Sequence, residues 1–302
     1  MRAALVVAGV LLLATWWLTS TGSGADALPT HTPDLDNGET VFWAGGCASC
    51  HATPVEGQRA QGDAKLRLGG GLALETDYGV FHVPNITPHP KAGIGSWSQV
   101  DFVNAMQFGI SPEGHSYYPS FPYTSYARMT VQDILDLQAF LMTLPSLDTD
   151  SLDHDLRFPW SIRRGVGFWK RLYLDDAAIV EIAQGDPVLT RGRALVEGAG
   201  HCGECHTPRN ALGALIDDRW LAGADNPDGA GRIPNITPAA ETSRSWSESD
   251  LAYYFESGFT PDWDTVGGSM VAVQENLAQL NDDDRRAIAA YLKAVPPIPD
   301  KP

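Results

Sequence analysis

The sequence predicts an all-α protein made of two tandem copies of one helical domain behind an apolar N-terminal helix. Three features lead there. The first is internal repetition: Val83-Pro84-Asn85-Ile86-Thr87-Pro88 returns as Ile233-Pro234-Asn235-Ile236-Thr237-Pro238, Trp97-Ser98 as Trp246-Ser247, and Gly109 as Gly258, each pair about 150 residues apart. The second is helical periodicity. Val131 to Leu144 and Asp282 to Val295 both carry apolar residues at the three-and-four spacing of one buried face. The third is a scarcity of alternating apolar and polar residues, with a short pair around Gly79 to Val83 as the main place of strand character.

In chain order, the first element is the segment 1–27. Met1-Arg2 precede an almost unbroken apolar run from Ala3 to Leu18, which is an export signal. As a helix the run would rise about 24 Å, against a hydrocarbon core of roughly 30 Å. Trp16 and Trp17 suit an interfacial aromatic belt, while Ala25-Asp26-Ala27 fits a cleavage site. The segment therefore reads either as a signal peptide or as a retained anchor in the inner membrane. Both place the remainder in the periplasm. That remainder divides into a first domain, 36–147, a linker, 148–187, and a second domain, 188–297. Within each copy a short helix leads into a cysteine motif, a Gly/Pro-rich loop follows, and a helix begins near Ser98 or Ser247. Both serines are N-cap candidates with an acidic residue in the first turn. A formal net charge of -16 argues against nucleic-acid and anionic-membrane surfaces and suits a partner with a basic docking face.

The four cysteines of an exported chain would by default pair as disulfides, and their neighbours point elsewhere. Cys47-Ala48-Ser49-Cys50-His51 and Cys202-Gly203-Glu204-Cys205-His206 are both C-x-x-C-H. In that pattern two thiols add to the vinyl groups of one haem, and the adjacent histidine becomes the proximal iron ligand. A lone C-x-x-C would equally suit a redox disulfide or half a zinc site; two copies, each followed directly by histidine, do not. The expected cofactors are two covalent haem c groups, and the expected fold is a pair of all-α cytochrome c domains. Pro54 and Pro208 are candidates to shape the loop after each histidine and leave a carbonyl for its N–H. Asn85, Asn235, Trp97, Trp246 and Arg209 are candidates either for the haem edge and propionates or for turns and core. The linker's Arg157, Arg163, Arg164, Lys170 and Arg171, interleaved with Phe158, Trp160, Phe168 and Trp169, would either pair with propionates or form a solvated face.

At these residues, with G-x-G-x-W-S, with Tyr117 to Tyr123 and with His201 to Asn210, the chain resembles the di-haem c-type cytochromes related to the cytochrome c subunits of membrane-bound alcohol, gluconate and aldehyde dehydrogenases. Those subunits carry three haems, whereas this chain has motifs for two. The resemblance implies electron transfer and a methionine as sixth ligand, which closes the iron and raises its potential. In the second domain that residue is Met270, in the Gly267-Gly268-Ser269 loop. In the first, the matching position is Phe121, which cannot bind iron. Met129 is then the expected ligand, and His115 the alternative. Met106 and Met142 fall on helical patterns and read as core.

The leading function is a periplasmic carrier that takes electrons from a dehydrogenase or quinol-linked donor and passes them to a cytochrome or terminal oxidase. The second reading is a peroxidase-like di-haem enzyme with one open iron. A cysteine-ligated catalytic haem would need a fifth cysteine, and the sequence has four.

Overall fold

The computed structural model describes residues 2–226, 229, 231–241 and 243–300. Met1, the first residue of the 1–27 segment, lies outside the described residues. The chain forms two halves of matching construction. In the first, α2 (Leu35–Ala44) runs into α3 (Cys47–His51), and α4 (Gln99–Phe108), α5 (Tyr123–Tyr126) and α6 (Val131–Leu141) follow. In the second, α8 (Pro187–Arg193) continues through a π-type turn, Ala194–Ala199, towards α9 (Gly203–His206), with α10 (Glu248–Ser257), α11 (Met270–Leu277) and α12 (Asp282–Ala294) after it. Before the first half stands α1 (Arg2–Leu18), and between the halves α7 (Arg164–Tyr173).

The helices start where the sequence places their caps. Ser98 and Ser247 each accept from the N–H of the third helical residue, Asp101 or Asp250, whose carboxylate returns the bond to the serine N–H. Two orphan donors are satisfied at each start. α6 and α12 begin behind Thr130 and Asn281, whose side chains accept from the N–H groups of Asp133 and Asp284. Each half is then organised by one crossing of its entering helix on its closing helix. At the α2–α6 crossing Gly38 meets the backbone of Asp136, so that a Cβ on it would stand 2.2 Å from the Asp136 carbonyl oxygen. At the α8–α12 crossing Gly192 meets Ala287, with 2.0 Å for the same atom pair. Such contact lets two backbones approach more closely than side chains permit. Polar pairs flank both crossings: Asn37 donates to Asp133 and Asp136 in the first half, and Arg191 pairs with Asp284 at 2.6 Å in the second.

The all-α expectation is corrected. The structure is only 40% helical, and among the described residues the loops form two small sheets. β1 (Ala73–Thr76), β2 (Gly79–His82) and β3 (Asp155–Leu156) make a three-stranded antiparallel sheet, with Thr76 opposite Gly79 and Val80 opposite Asp155. β4 (Ala224–Asp225) and β5 (Arg232–Ile233) form a second pair. β2 falls on the strand character noted around Gly79 to Val83, while the other strands, of two to four residues, are too short to leave a period-two signal, and the third comes from the linker, far along the sequence. What holds the larger sheet is Phe81, buried with Tyr118 and Val166 in a small apolar cluster of its own.

The anchor helix is corrected as well. Among the described residues no helix is long and apolar enough to cross a membrane. α1 has 17 residues, about 25 Å of rise. Its C-terminal end is held by α7: Arg164 stacks over Trp16 at 4.0 Å and Arg171 over Trp17 at 4.4 Å. Both guanidinium groups also donate to the terminal carbonyls of α1, where cations oppose the helix dipole. Arg163 lies over Tyr118. These three arginines of the linker are thus spent on aromatic rings and helix-end carbonyls.

The glycine crossings give a stability prediction. Gly38→Ala and Gly192→Ala should each destabilise their half by about 1–3 kcal/mol, because backbone cannot retreat from the added methyl as a flexible side chain would. Denaturant unfolding of the holoprotein checks this, and an unchanged midpoint in either variant would contradict the close packing.

Candidate haem sites

Each C-x-x-C-H motif forms a single helical turn, so its histidine is fixed relative to both thiols. None of the four cysteines is in a disulfide. Burial, reinforced by the neighbouring cysteine, pushes Cys47 and Cys202 up to about 12, so both stand as neutral thiols at pH 7. The imidazoles are oriented by the backbone of the following loop. Nδ1 of His51 lies 2.8 Å from the Pro84 carbonyl oxygen, and Nδ1 of His206 lies 2.7 Å from that of Pro234. A carbonyl only accepts, so Nδ1 carries the proton in both rings and Nε2 is left with its lone pair. Burial also holds both imidazoles below the ordinary histidine range, although the carbonyl bond pulls the other way, and the rings stand neutral. Paired thiols beside a neutral imidazole with Nε2 directed away from its carbonyl are the donor set that a covalent haem needs. The residues present fit the group.

The carbonyls come from the proline of the repeated P-N-I-T-P stretch, and not from Pro54 or Pro208. That repeat was itself the signal. Asn85 and Asn235 are buried turn residues: each amide oxygen accepts from the N–H two residues on, and each NH₂ donates to the segment beyond the closing helix, at Leu147 and Thr149 or at Ile298. Trp97 and Trp246 pack half-buried against the core. Arg209 pairs with Glu204 at 2.6 Å.

The methionines differ in setting. Met129 is buried and its carbonyl accepts from Gln107. It lines a small cavity with Cys47, Met106 and Tyr126, which brings it beside the first motif. Met270 opens α11 behind its N-cap Ser269, which follows Gly268, a glycine in the left-handed region, and is half-buried. His115 is exposed on the turn between Ser111 and Ser116, where its N–H bonds to Ser111. Phe121 packs among Tyr117, Tyr123 and Tyr126. Met106 is buried and Met142 half-buried, both in the core. Among the described residues no cluster of three or more His, Cys, Asp and Glu side chains offers a separate metal site.

Sequence reasoning did not find the contacts that join the halves at the motifs. Ser49 accepts from Asn276 at 2.8 Å, Glu204 accepts from Thr124 and Ser125 at 2.9 Å each, and His201 lies 3.2 Å from the Gly45 carbonyl. Lys65 pairs with Glu275 at 2.7 Å. Tyr126, buried, has its ring against His201, and burial with the neighbouring Cys47, Cys50 and Glu204 raises its hydroxyl well above the ordinary range. Ala52, Pro54 and residues 57 to 61 of the first half face Gly268, Ser269 and Val271 of the second across a cleft of about 430 Å³.

Comparison with known proteins is consistent with these sites. The model of the cytochrome c family matches twice, over residues 35–145 and 189–296. A protein from Cereibacter sphaeroides described as a diheme cytochrome c-type is 54% identical over 93% of both chains. The fructose dehydrogenase cytochrome subunit of Gluconobacter japonicus is 36% identical over 95% of this chain. The gluconate 2-dehydrogenase cytochrome c subunit of Pantoea cypripedii is 35% identical over 86%. This chain spans 58% and 59% of those two subunits.

With two independent donor sets, the double variant Cys202→Ser/Cys205→Ser should retain one covalent haem per chain where the native protein has two. A pyridine haemochrome assay against protein mass checks this; complete loss in the variant, or one haem in the native protein, would contradict separate sites.

Proposed function

Because the chain belongs to the cytochrome c family, we propose that it is a periplasmic di-haem electron carrier with both irons closed to outside ligands. Haem c supplies a reversible one-electron iron couple. The residues of the chain tether, orient and tune it. On this reading Cys47 and Cys50 hold the first group, Cys202 and Cys205 the second, and Nε2 of His51 and His206 are the proximal ligands. Met129 and Met270 would supply the remaining ligands, thioethers that raise the potential. The observation that carries the proposal is the pairing of two such donor sets by direct hydrogen bonds between the halves. A protein that serves electron passage needs its two groups close together and needs no pocket for an organic substrate.

The donor we propose is a dehydrogenase, or a quinol-linked enzyme, and the acceptor another cytochrome or a terminal oxidase. The names of the similar dehydrogenase subunits support the first of these. The acidic surface of the chain, at a formal charge of -16, favours partners with a basic docking face. The apolar segment before Leu28 acts as the export signal, and haem attachment follows export.

The peroxidase-like alternative requires one iron with an open or displaceable sixth position, and the first haem decides it. Reduced native protein should bind little carbon monoxide. Met129→Ala should open one binding position per chain, and Met270→Ala should lower the potential of the second haem. Carbon monoxide binding at one haem of the native protein, together with turnover of hydrogen peroxide, would replace the carrier reading.

A further inference from the structure

We propose that Glu204, although it lies inside the second haem motif, is a positioning residue for the first haem. This rests on the reading that Met129 is the sixth ligand there. The side chain of Glu204 is 11% exposed. Its Oε1 accepts from the hydroxyls of Thr124 and Ser125, both at 2.9 Å, and its Oε2 takes Nη2 of Arg209 at 2.6 Å. A carboxylate bound on both oxygens makes stronger bonds than a neutral acceptor would, and removing it strands two hydroxyls.

Thr124 and Ser125 belong to α5, and the chain from α5 to Met129 is hydrogen-bonded throughout. Ala127 N–H donates to the Tyr123 carbonyl, Arg128 N–H to Ser125, and Met129 N–H to Tyr126. The Arg128 side chain closes back on the Thr124 carbonyl at 2.6 Å. The backbone of Met129 is thereby referenced to Glu204 through five residues with little slack. From the other side, Met129 meets the turn before the second motif, where a Cβ on Gly198 would stand 3.1 Å from Met129 Cγ.

The equivalent position of the first motif does the reciprocal work. Ser49 and Glu204 both stand immediately before the second cysteine of their motifs. Ser49 is bound by Asn276 of α11, the helix that Met270 begins. Each motif therefore holds the ligand-bearing segment of the other half, and Glu204 holds the segment that leads to Met129. A change at the second motif reaches the first iron by this route.

The test is spectropotentiometry of holoprotein in the Met270→Ala background, where a thioether-to-iron charge-transfer band can come only from the first haem. Glu204→Ala and the double variant Thr124→Val/Ser125→Ala should both weaken that band, lower the midpoint of the first haem and admit carbon monoxide there in the reduced protein. Glu204→Gln keeps an acceptor oxygen in place and should retain most of the band. The haemochrome assay identifies variants that have kept both haems, and the hydroxyl double variant leaves the second motif untouched should Glu204→Ala fail to mature. If the first haem is unchanged in the double variant or in Glu204→Ala, the proposal is overturned. Met129→Ala, measured alongside, separates the two claims: an unchanged first haem there overturns the ligand assignment itself, whereas a changed one with silent Glu204 variants overturns the positioning role alone.

Discussion

In each half an imidazole N–H is bound to a proline carbonyl about thirty residues further along the chain, and most of the local architecture serves that bond. The ring must keep Nδ1 on the carbonyl and Nε2 free, so the motif has to be a rigid helical turn and the loop that supplies the proline has to be fixed. Two buried asparagines perform the second task, with Asn85 and Asn235 tying the P-N-I-T-P loops to the segments that leave the closing helices. Those helices are in turn set by the glycine crossings at Gly38 and Gly192. From the crossing to the closing helix, the loop, the carbonyl and the ring, each contact fixes the next.

The repeat made this scheme legible before any coordinates. Residues whose role is local and which occur twice, such as the C-x-x-C-H motifs, the Ser98 and Ser247 caps and the closing helices, could be placed from spacing alone, since capping and amphipathic periodicity act within a few residues. The repeated proline was also visible. Its carbonyl was not assigned, because which carbonyl meets which ring is settled by loop folding over some thirty positions. Of the sheets, only the short pair around Gly79 to Val83 showed, and β2 forms there. Its partner from the linker, a strand of two residues, and the second pair are too short to carry a period. At the N-terminus a strongly apolar run suggested either an export signal or an anchor helix, and among the described residues no helix is long and apolar enough to cross a membrane.

The contacts between the halves had no sequence signal. The positions before the second cysteine are Ser49 in one half and Glu204 in the other, and a repeat comparison would dismiss them as variable. Their importance comes from where the two halves meet, with the turn before the second motif resting on the end of α2 and on Met129. A charged group buried at such a meeting needs partners, and Glu204 finds two hydroxyls and a guanidinium. A symmetric fold thus becomes an asymmetric pair, in which one motif carries a carboxylate and the other a hydroxyl. Asymmetry of this kind gives two chemically identical cofactors different environments.

The central claim is that the two haem sites work as one conduit within a single chain. Rapid photoreduction of the holoprotein by a sub-stoichiometric electron source, followed at wavelengths that separate the two haems, tests it most directly. The account predicts that electrons redistribute between the haems with a rate independent of protein concentration, because the motifs are joined through Ser49, Glu204 and Tyr126 inside the molecule. A redistribution rate that rises in proportion to protein concentration would show exchange between molecules and would contradict the account.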